Sequence, residues 1–224
     1  MRSSTKRWST FSFLLTSSAV LGLLLGGVSA QSAVALPNVL AIKALNQLAV
    51  KGRAPKTGYL RSQFSDGWGR FNGCDTRNNI LTRDLKQVTY KDGCLVSTGV
   101  LSDPYTGKAI NFVRGVGTST AVQIDHVVAL SDAWQKGAQQ ISAASRYALY
   151  NDPLNLLAVD GPTNEAKGDS DAASWLPPNK AFRCPYVARQ VAVKRKYGLW
   201  VTPAEKSAIA AVLASCPKQV LPQG

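Results

Sequence analysis

No charged side chain occurs between Arg7 and Lys43. Arg2, Lys6 and Arg7 precede that gap. Inside it, Phe11 to Val28 is apolar with small residues, and small-x-small sites follow at Val28-Ser29-Ala30 and Ala33-Val34-Ala35. A basic start, an apolar middle and a small-residue cleavage site are the order of a secretory signal peptide. A retained anchor is the rival reading, since an 18-residue stretch is near the lower limit of a membrane span. Interruption by glycines and hydroxyl residues, with cleavage sites close behind, favours removal. The expectation is a signal peptide over 1–35, cut after Ala30 or Ala35, and a single domain over 36–224. The product is then secreted or periplasmic, with no stable membrane association after cleavage.

Export determines how the cysteines read. Cys74, Cys94, Cys184 and Cys216 form an even set beyond the signal, in a compartment that oxidises thiols. No CxxC pair is present and no histidine lies near any of them, which speaks against zinc. Of the three possible pairings, the local one, Cys74–Cys94 with Cys184–Cys216, is simplest because each bond clips a contiguous segment. Closing such loops stabilises by about 3–4 kcal/mol each in the chain-entropy picture.

With 45% hydrophobic and 17% charged residues the chain can bury a core. A formal net charge of +13 points to polyanionic partners, and removal of the signal's three cations leaves it near +10. There is one histidine, so His-rich metal sites are excluded and any histidine-dependent chemistry rests on His126.

Periodicity gives an α+β order. Pro37 to Val50 places Leu40, Ala41, Ala44, Leu45 and Leu48 on one helical stripe, broken by the basic link Lys51 to Lys56. Tyr59 to Asp75 reads as an irregular, disulfide-tied layer. Strands follow about the turn Asp92-Gly93 and after Asp103 to Gly107. Val122 to Val128 reads as a strand with Asp125 and His126 in its middle. Helical signals cover Ser131 to Gly137 and Ser142 to Tyr150, a short strand Leu154 to Val159, and a helix or turn Thr163 to Lys167. Cys184 to Tyr197 and a helix opened by Thr202-Pro203-Ala204-Glu205, a capping box with proline at the first position, complete the chain.

An isolated histidine on a strand is most often a satisfied core residue. Its company alters that reading. Asp125 precedes His126, Asn155 follows 29 residues later and Asn164 nine beyond that, with Lys167 one helical turn on. Asp125-His126, Asn155-Leu156 and Asn164-x-x-Lys167 resemble the HNH endonuclease signature, the ββα-metal or His-Me finger, and the wider context is similar to exported HNH-family proteins of bacteria. The motif covers about 122–169. The long insert between His126 and Asn155, carrying Trp134, departs from it and leaves Asn151 as a competitor for the middle asparagine; the leucine after Asn155 favours Asn155.

The resemblance implies a ββα-metal core with a small antiparallel β layer, flanking helices and two disulfides. It further implies a metal-dependent endonuclease of little sequence specificity. His126 would be general base, Asn155 would hold the loop and orient it, and Lys167 would contact phosphate, although a surface helix lysine reads as well. Asp125 and Asn164 would hold a divalent ion, Mg²⁺ first, with Mn²⁺ or Ca²⁺ as alternatives. The partner would be nucleic acid, DNA ahead of RNA, gripped by its backbone. Successive strand residues face opposite sides, so Asp125 and His126 can share one cleft only at a bulge or a strand end. Arg77 and Arg83 are weaker candidates for substrate phosphate, with a bracing ion-pair cluster preferred. Asp169 and Asp171 read as a solvated capping loop. Arg189, Lys194, Arg195 and Lys196 form a basic helical patch or a solvated face. Trp175 reads as core; Trp68 and Trp134 are open. The competing class is an exported, disulfide-stapled polyanion-binding module without catalysis.

Overall fold

In the computed structural model residues 39–223 are described, and the expected signal segment over 1–35 lies outside them. The first element, α1 (Ala41–Gln47), is shorter than its apolar stripe and buries Ala41, Ala44 and Leu45. An irregular stretch leads to two two-residue strands, β1 (Arg70–Phe71) and β2 (Cys74–Asp75), paired antiparallel. A helix that periodicity did not disclose follows, α2 (Thr76–Asp84). Its start is set by the Asp75 side chain, which accepts from the Asn78 amide. Then come β3 (Leu85–Lys91), β4 (Leu95–Ser102) and β5 (Ala109–Val113), a three-stranded antiparallel meander turning at Asp92-Gly93 as expected.

The centre of the chain is a second, two-stranded sheet. β6 (Val122–His126) pairs antiparallel with β7 (Leu156–Asp160), and α3 (Leu130–Gln135) and α4 (Ala143–Asn151) fill the connection. A short helix, α5 (Gly161–Lys167), leaves the end of β7. The Asp160 carboxylate caps it by accepting from the amide and hydroxyl of Thr163. Gly161 lies so close to the Thr120 carbonyl that any Cβ there would collide with it, which lets α5 start tight against β6. The chain ends in α6 (Arg183–Tyr197) and α7 (Pro203–Ala214), the latter with the expected Thr202–Glu205 capping box.

The β6–β7 ribbon separates two apolar clusters, because alternate residues face opposite ways. Leu157 and Val159 join the larger core of α1, α3, α4, α6 and α7. Val122, Ile124, Leu156 and Ala158 join the smaller core with α2 and the meander. Both disulfides are the local pairs, Cys74–Cys94 between β2 and the β3–β4 turn and Cys184–Cys216 between the start of α6 and the end of α7. Among the described residues, no helix is long and apolar enough to cross a membrane.

Two expectations about charge are corrected. The patch on α6 is not a solvated face: Lys194 is fully buried, Arg189 donates to the Leu154 carbonyl and Lys196 pairs with Asp152. Asp171 is likewise buried rather than solvated. Lys136 and Lys194 are buried together with Asp132, Asp171 and Glu205, and Arg53 reaches in from the surface. The Lys136 ammonium lies 2.6 Å from Asp132, 2.6 Å from Asp171 and 2.8 Å from Glu205, while that of Lys194 lies 2.9 Å from Glu205. Three cations face three carboxylates, so the cluster is neutral. The α6 run looked exposed because its partners arrive from α3, α7 and a loop distant in sequence.

Burial would raise the Asp171 pKa, but the hydrogen bond and charge of Lys136, the Ala173 amide and Arg53 outweigh it and hold it down at about 2. A carboxylate with a depressed pKa contributes stability that is present above its unfolded value, near 3.8, and lost as pH falls through the folded one. Thermal unfolding followed from pH 5 to pH 2 should lose on the order of 2 kcal/mol from this residue. The Asp171→Asn variant, destabilised at pH 7, should show a flatter curve in that window; a curve parallel to the parent's would refute the assignment.

Candidate active site

Asp125 and His126 are the last two residues of β6, and the ladder runs regularly through both, opposite Leu157 and Leu156. No bulge turns them together. A flat ladder through both residues is the geometry that counts against a cleft shared from one strand face, and it is the one present, although β6 stops at His126 rather than running on to Val128. Their side chains take different partners. Asp125, on the face of Leu157, meets α5, whereas His126, on the opposite face, meets the aromatic layer before β1. Both nevertheless line one cavity of about 330 Å³, together with Arg61, Gln123, Asn164 and Asp169.

His126 is only 5% exposed. Its ring stacks on Trp68 at 5.7 Å between centroids and an 11° interplanar angle, and tilts against Tyr150 at 4.8 Å. Nε2 lies 2.8 Å from the Tyr150 carbonyl. A carbonyl only accepts, so Nε2 carries the proton and the neutral ring presents its lone pair at Nδ1. Burial lowers the His126 pKa; the Tyr150 carbonyl opposes that shift, Arg61 adds to it, and the result is about 4. The imidazole is therefore neutral throughout the physiological range.

Asp125 is held from two sides. The Lys167 ammonium is 2.9 Å from Oδ1 and also donates to the His126 carbonyl at 3.0 Å, while the Tyr105 hydroxyl donates to Oδ2. Lys167 is 1% exposed, so the surface reading of this lysine is corrected: α5 is short and packed against β6, and its last turn aims the ammonium inward. Tyr105 is seated by the turn that begins at Asp103, whose carboxylate accepts from the Tyr105 and Thr106 amides and from the Asp160 amide at the head of α5. Burial, then the charge of Asp125, raises the Tyr105 pKa well above the ordinary phenol value, which keeps it a donor.

Asn155 is completely buried. Its side chain spans the Val128 backbone, accepting from the amide at 2.8 Å and donating to the carbonyl at 3.3 Å, and its own carbonyl accepts from Val127. It clamps the loop leaving His126 without a hydrogen bond to the ring, which is oriented by the Tyr150 carbonyl. Asn151 instead accepts from the Gly69 amide and the Thr76 hydroxyl. Asn164 donates from Nδ2 to Gln123 at 2.8 Å, leaving Oδ1 without a hydrogen bond among the described residues.

The two arginines weighed for phosphate are engaged with backbone. Arg77 donates to the Ser119 and Val122 carbonyls, and Arg83 to those of Pro153 and Leu156 while pairing with Asp84. The cavity's arginine is Arg61, which no motif marked. It donates to the Tyr150 hydroxyl at 3.2 Å, stacks over that ring at 5.1 Å and has no carboxylate partner among the described residues. Trp175 packs edge-on against Tyr105 and Tyr186, as a core residue does, and Trp134 packs with Tyr59 and Phe64. The sequence marked Asp125, His126, Asn155, Asn164 and Lys167, and the fold brings them together. Tyr105 and the Tyr150 carbonyl carried no signal: one sits in a turn, and the other acts through its backbone.

Among the described residues no group of three or more His, Cys, Asp or Glu side chains converges to hold a metal. Of the amide and carboxylate oxygens that line the cavity, those of Gln123, Glu165 and Asp169 each have a partner in Asn164, Gln123 and Lys56, which leaves the Asp125 carboxylate and the Asn164 amide oxygen as the donor pair for an ion. Each carboxylate oxygen can accept twice and has one partner here. Two hard oxygens fit an ion of the Mg²⁺ type, which keeps several waters and takes its other ligands from phosphate.

The family model for the C-terminal domain of GmrSD restriction endonucleases matches residues 75–212, which include Tyr105, Asp125, His126, Tyr150, Asn155, Asn164 and Lys167 but not Trp68 or Arg61. An uncharacterized secreted protein of Arthroderma benhamiae is 37% identical over 175 residues, covering 77% of this chain and 82% of that one. No solved structure matches the chain.

Proposed function

The chain belongs to the family formed by the C-terminal domain of GmrSD restriction endonucleases, a nuclease family, and from that premise we propose that it is an exported, divalent-metal-dependent endonuclease. It hydrolyses phosphodiester bonds of DNA, or of RNA, with little sequence specificity. The observation that carries the reading is the neutral, hydrogen-bond-oriented imidazole of His126 lining one cavity with Asp125, Asn164 and Arg61, which has no carboxylate partner among the described residues. In this reading β6, β7 and α5 form a ββα-metal core of the HNH type. Export is supported by the 1–35 signal pattern and by the secreted relative.

Nδ1 of His126 accepts the proton of the attacking water, while the Tyr150 carbonyl and the Trp68 ring hold the imidazole in place. Asp125 and Asn164 hold the divalent ion, Mg²⁺ first, which when bound supplies charge neutralisation at the phosphate and the leaving oxygen. Lys167 and Tyr105 fix the Asp125 carboxylate, and Lys167 also ties down the end of β6 through the His126 carbonyl. Asn155 keeps the loop after His126 in register. Arg61 supplies a guanidinium to the phosphate from the same cavity.

Disulfide-intact protein incubated with Mg²⁺ or Mn²⁺ should nick supercoiled plasmid, whose negative supercoiling opens unpaired segments, and cut single-stranded circular DNA, and EDTA should abolish both. Cleavage that persists in EDTA would overturn the metal dependence. Absence of cleavage on DNA and RNA alike, with salt-sensitive binding retained, would establish instead the polyanion-binding module.

A further inference from the structure

A second cleft opens next to the residues that hold His126. It encloses about 390 Å³ and is lined mainly by apolar surface. Two of its walls are aromatic and exposed, Phe71 at 70% and Tyr147 at 47%. Single exposed aromatics are ordinary, but two flanking one apolar cleft are not what a bare surface requires. We propose that this cleft receives an unpaired base of the substrate strand, which makes single-stranded nucleic acid the substrate class of the adjacent site. The proposal rests on the nuclease reading above.

Three observations support this occupant. The first is chemical: aromatic faces beside cationic groups are how proteins hold unpaired bases, each base stacking on a ring while its phosphate meets a cation. Arg70 lines the cleft, donates to the Gly73 carbonyl and has no carboxylate partner among the described residues. The chain as a whole is strongly cationic. The second is continuity with the site. Phe71 lies three residues after Trp68, which stacks on His126, and Tyr147 lies one turn before Tyr150, whose carbonyl orients His126. The two segments are tied together where Asn151 accepts from the Gly69 amide. The third is Gly69 itself. A Cβ at this position would collide with the Tyr147 hydroxyl, so the absence of a side chain is what lets that ring lie along the cleft. A duplex, whose bases are already stacked, has no free base face to offer here.

The test is fluorescence anisotropy of the disulfide-intact protein in EDTA, with labelled oligo-dT, oligo-U and a duplex of equal length. Omitting metal separates binding from cleavage, so a failure of the nuclease reading in the plasmid assay leaves this measurement interpretable. The single strands should bind more tightly than the duplex. Phe71→Ala and Tyr147→Ala should each weaken single-strand binding about tenfold, and Phe71→Trp should restore it. Tyr90→Ala, removing an exposed aromatic on β3 outside the cleft, should change nothing. Phe71 is exposed, so its replacement leaves the core intact, and a thermal melt verifies folding. Equal affinity for single strand and duplex, unaltered binding in both cleft variants, or the same loss in Tyr90→Ala would each overturn the proposal.

Discussion

Replacement of His126 by alanine is expected to lower plasmid nicking by about 10²–10⁴-fold, the usual contribution of a positioned general base. The reason is geometric. The Tyr150 carbonyl takes the Nε2 proton, so the only basic nitrogen of the only histidine is Nδ1. The carboxylates that share the cavity are each engaged by another group: Asp125 by Lys167 and Tyr105, Glu165 by Gln123 and Asp169 by Lys56. Folding has to be checked beside activity, since the ring is buried between Trp68 and Tyr150. Binding to a labelled oligonucleotide in EDTA provides that check and should be little altered. Cleavage within tenfold of the parent in a folded, binding-competent variant would remove His126 from the role of base.

Lys136→Met is expected to cost about 3–5 kcal/mol of stability, the usual loss when one partner of a buried ion pair is removed. Lys136 is fully buried, and its ammonium is shared by Asp132, Asp171 and Glu205. Its removal leaves three buried carboxylates facing Lys194 and Arg53 alone, an uncompensated negative charge away from water. At about 2–4 °C per kcal/mol for a domain of this size, the unfolding midpoint should drop by on the order of 10 °C. The control is Lys56→Met, which breaks a 3.0 Å pair with Asp169 in which both side chains are more than half exposed. Exposed pairs contribute about 0–1 kcal/mol, so that midpoint should hardly move. Similar losses in the two variants would mean that the buried cluster is no more important than a surface pair.

The elements legible in the sequence were those carried by local pattern. The Thr202 capping box, the Asp92-Gly93 turn and the apolar strand about Ile124 each depend on residues within a few positions of one another, and each forms where expected. The helix α2 escaped because it is polar on most of its surface and begins on an aspartate cap rather than an apolar stripe. The same limit misread α6. Lys194, Arg195 and Lys196 are adjacent in sequence and looked like one basic face, yet helical geometry turns Lys194 into the interior and leaves Arg195 outside.

At the site the division is similar. The chain alone determined the inventory: one histidine preceded by an aspartate, two asparagines and a lysine downstream at set intervals, and an even set of four cysteines. Those are properties of residue type and spacing, which a sequence states directly. Only the tertiary structure decided what each group faces. It turned Lys167 inward onto Asp125, gave Asn155 the Val128 backbone instead of the imidazole, and brought Tyr105, Trp68 and Arg61 from distant segments. It also assigned the proton on His126 through a backbone carbonyl, a group every residue possesses and no side-chain pattern can reveal. Orientation and burial arise from contacts between segments far apart in the chain, so they become readable only once the β6–β7 ribbon and the helices around it are in place.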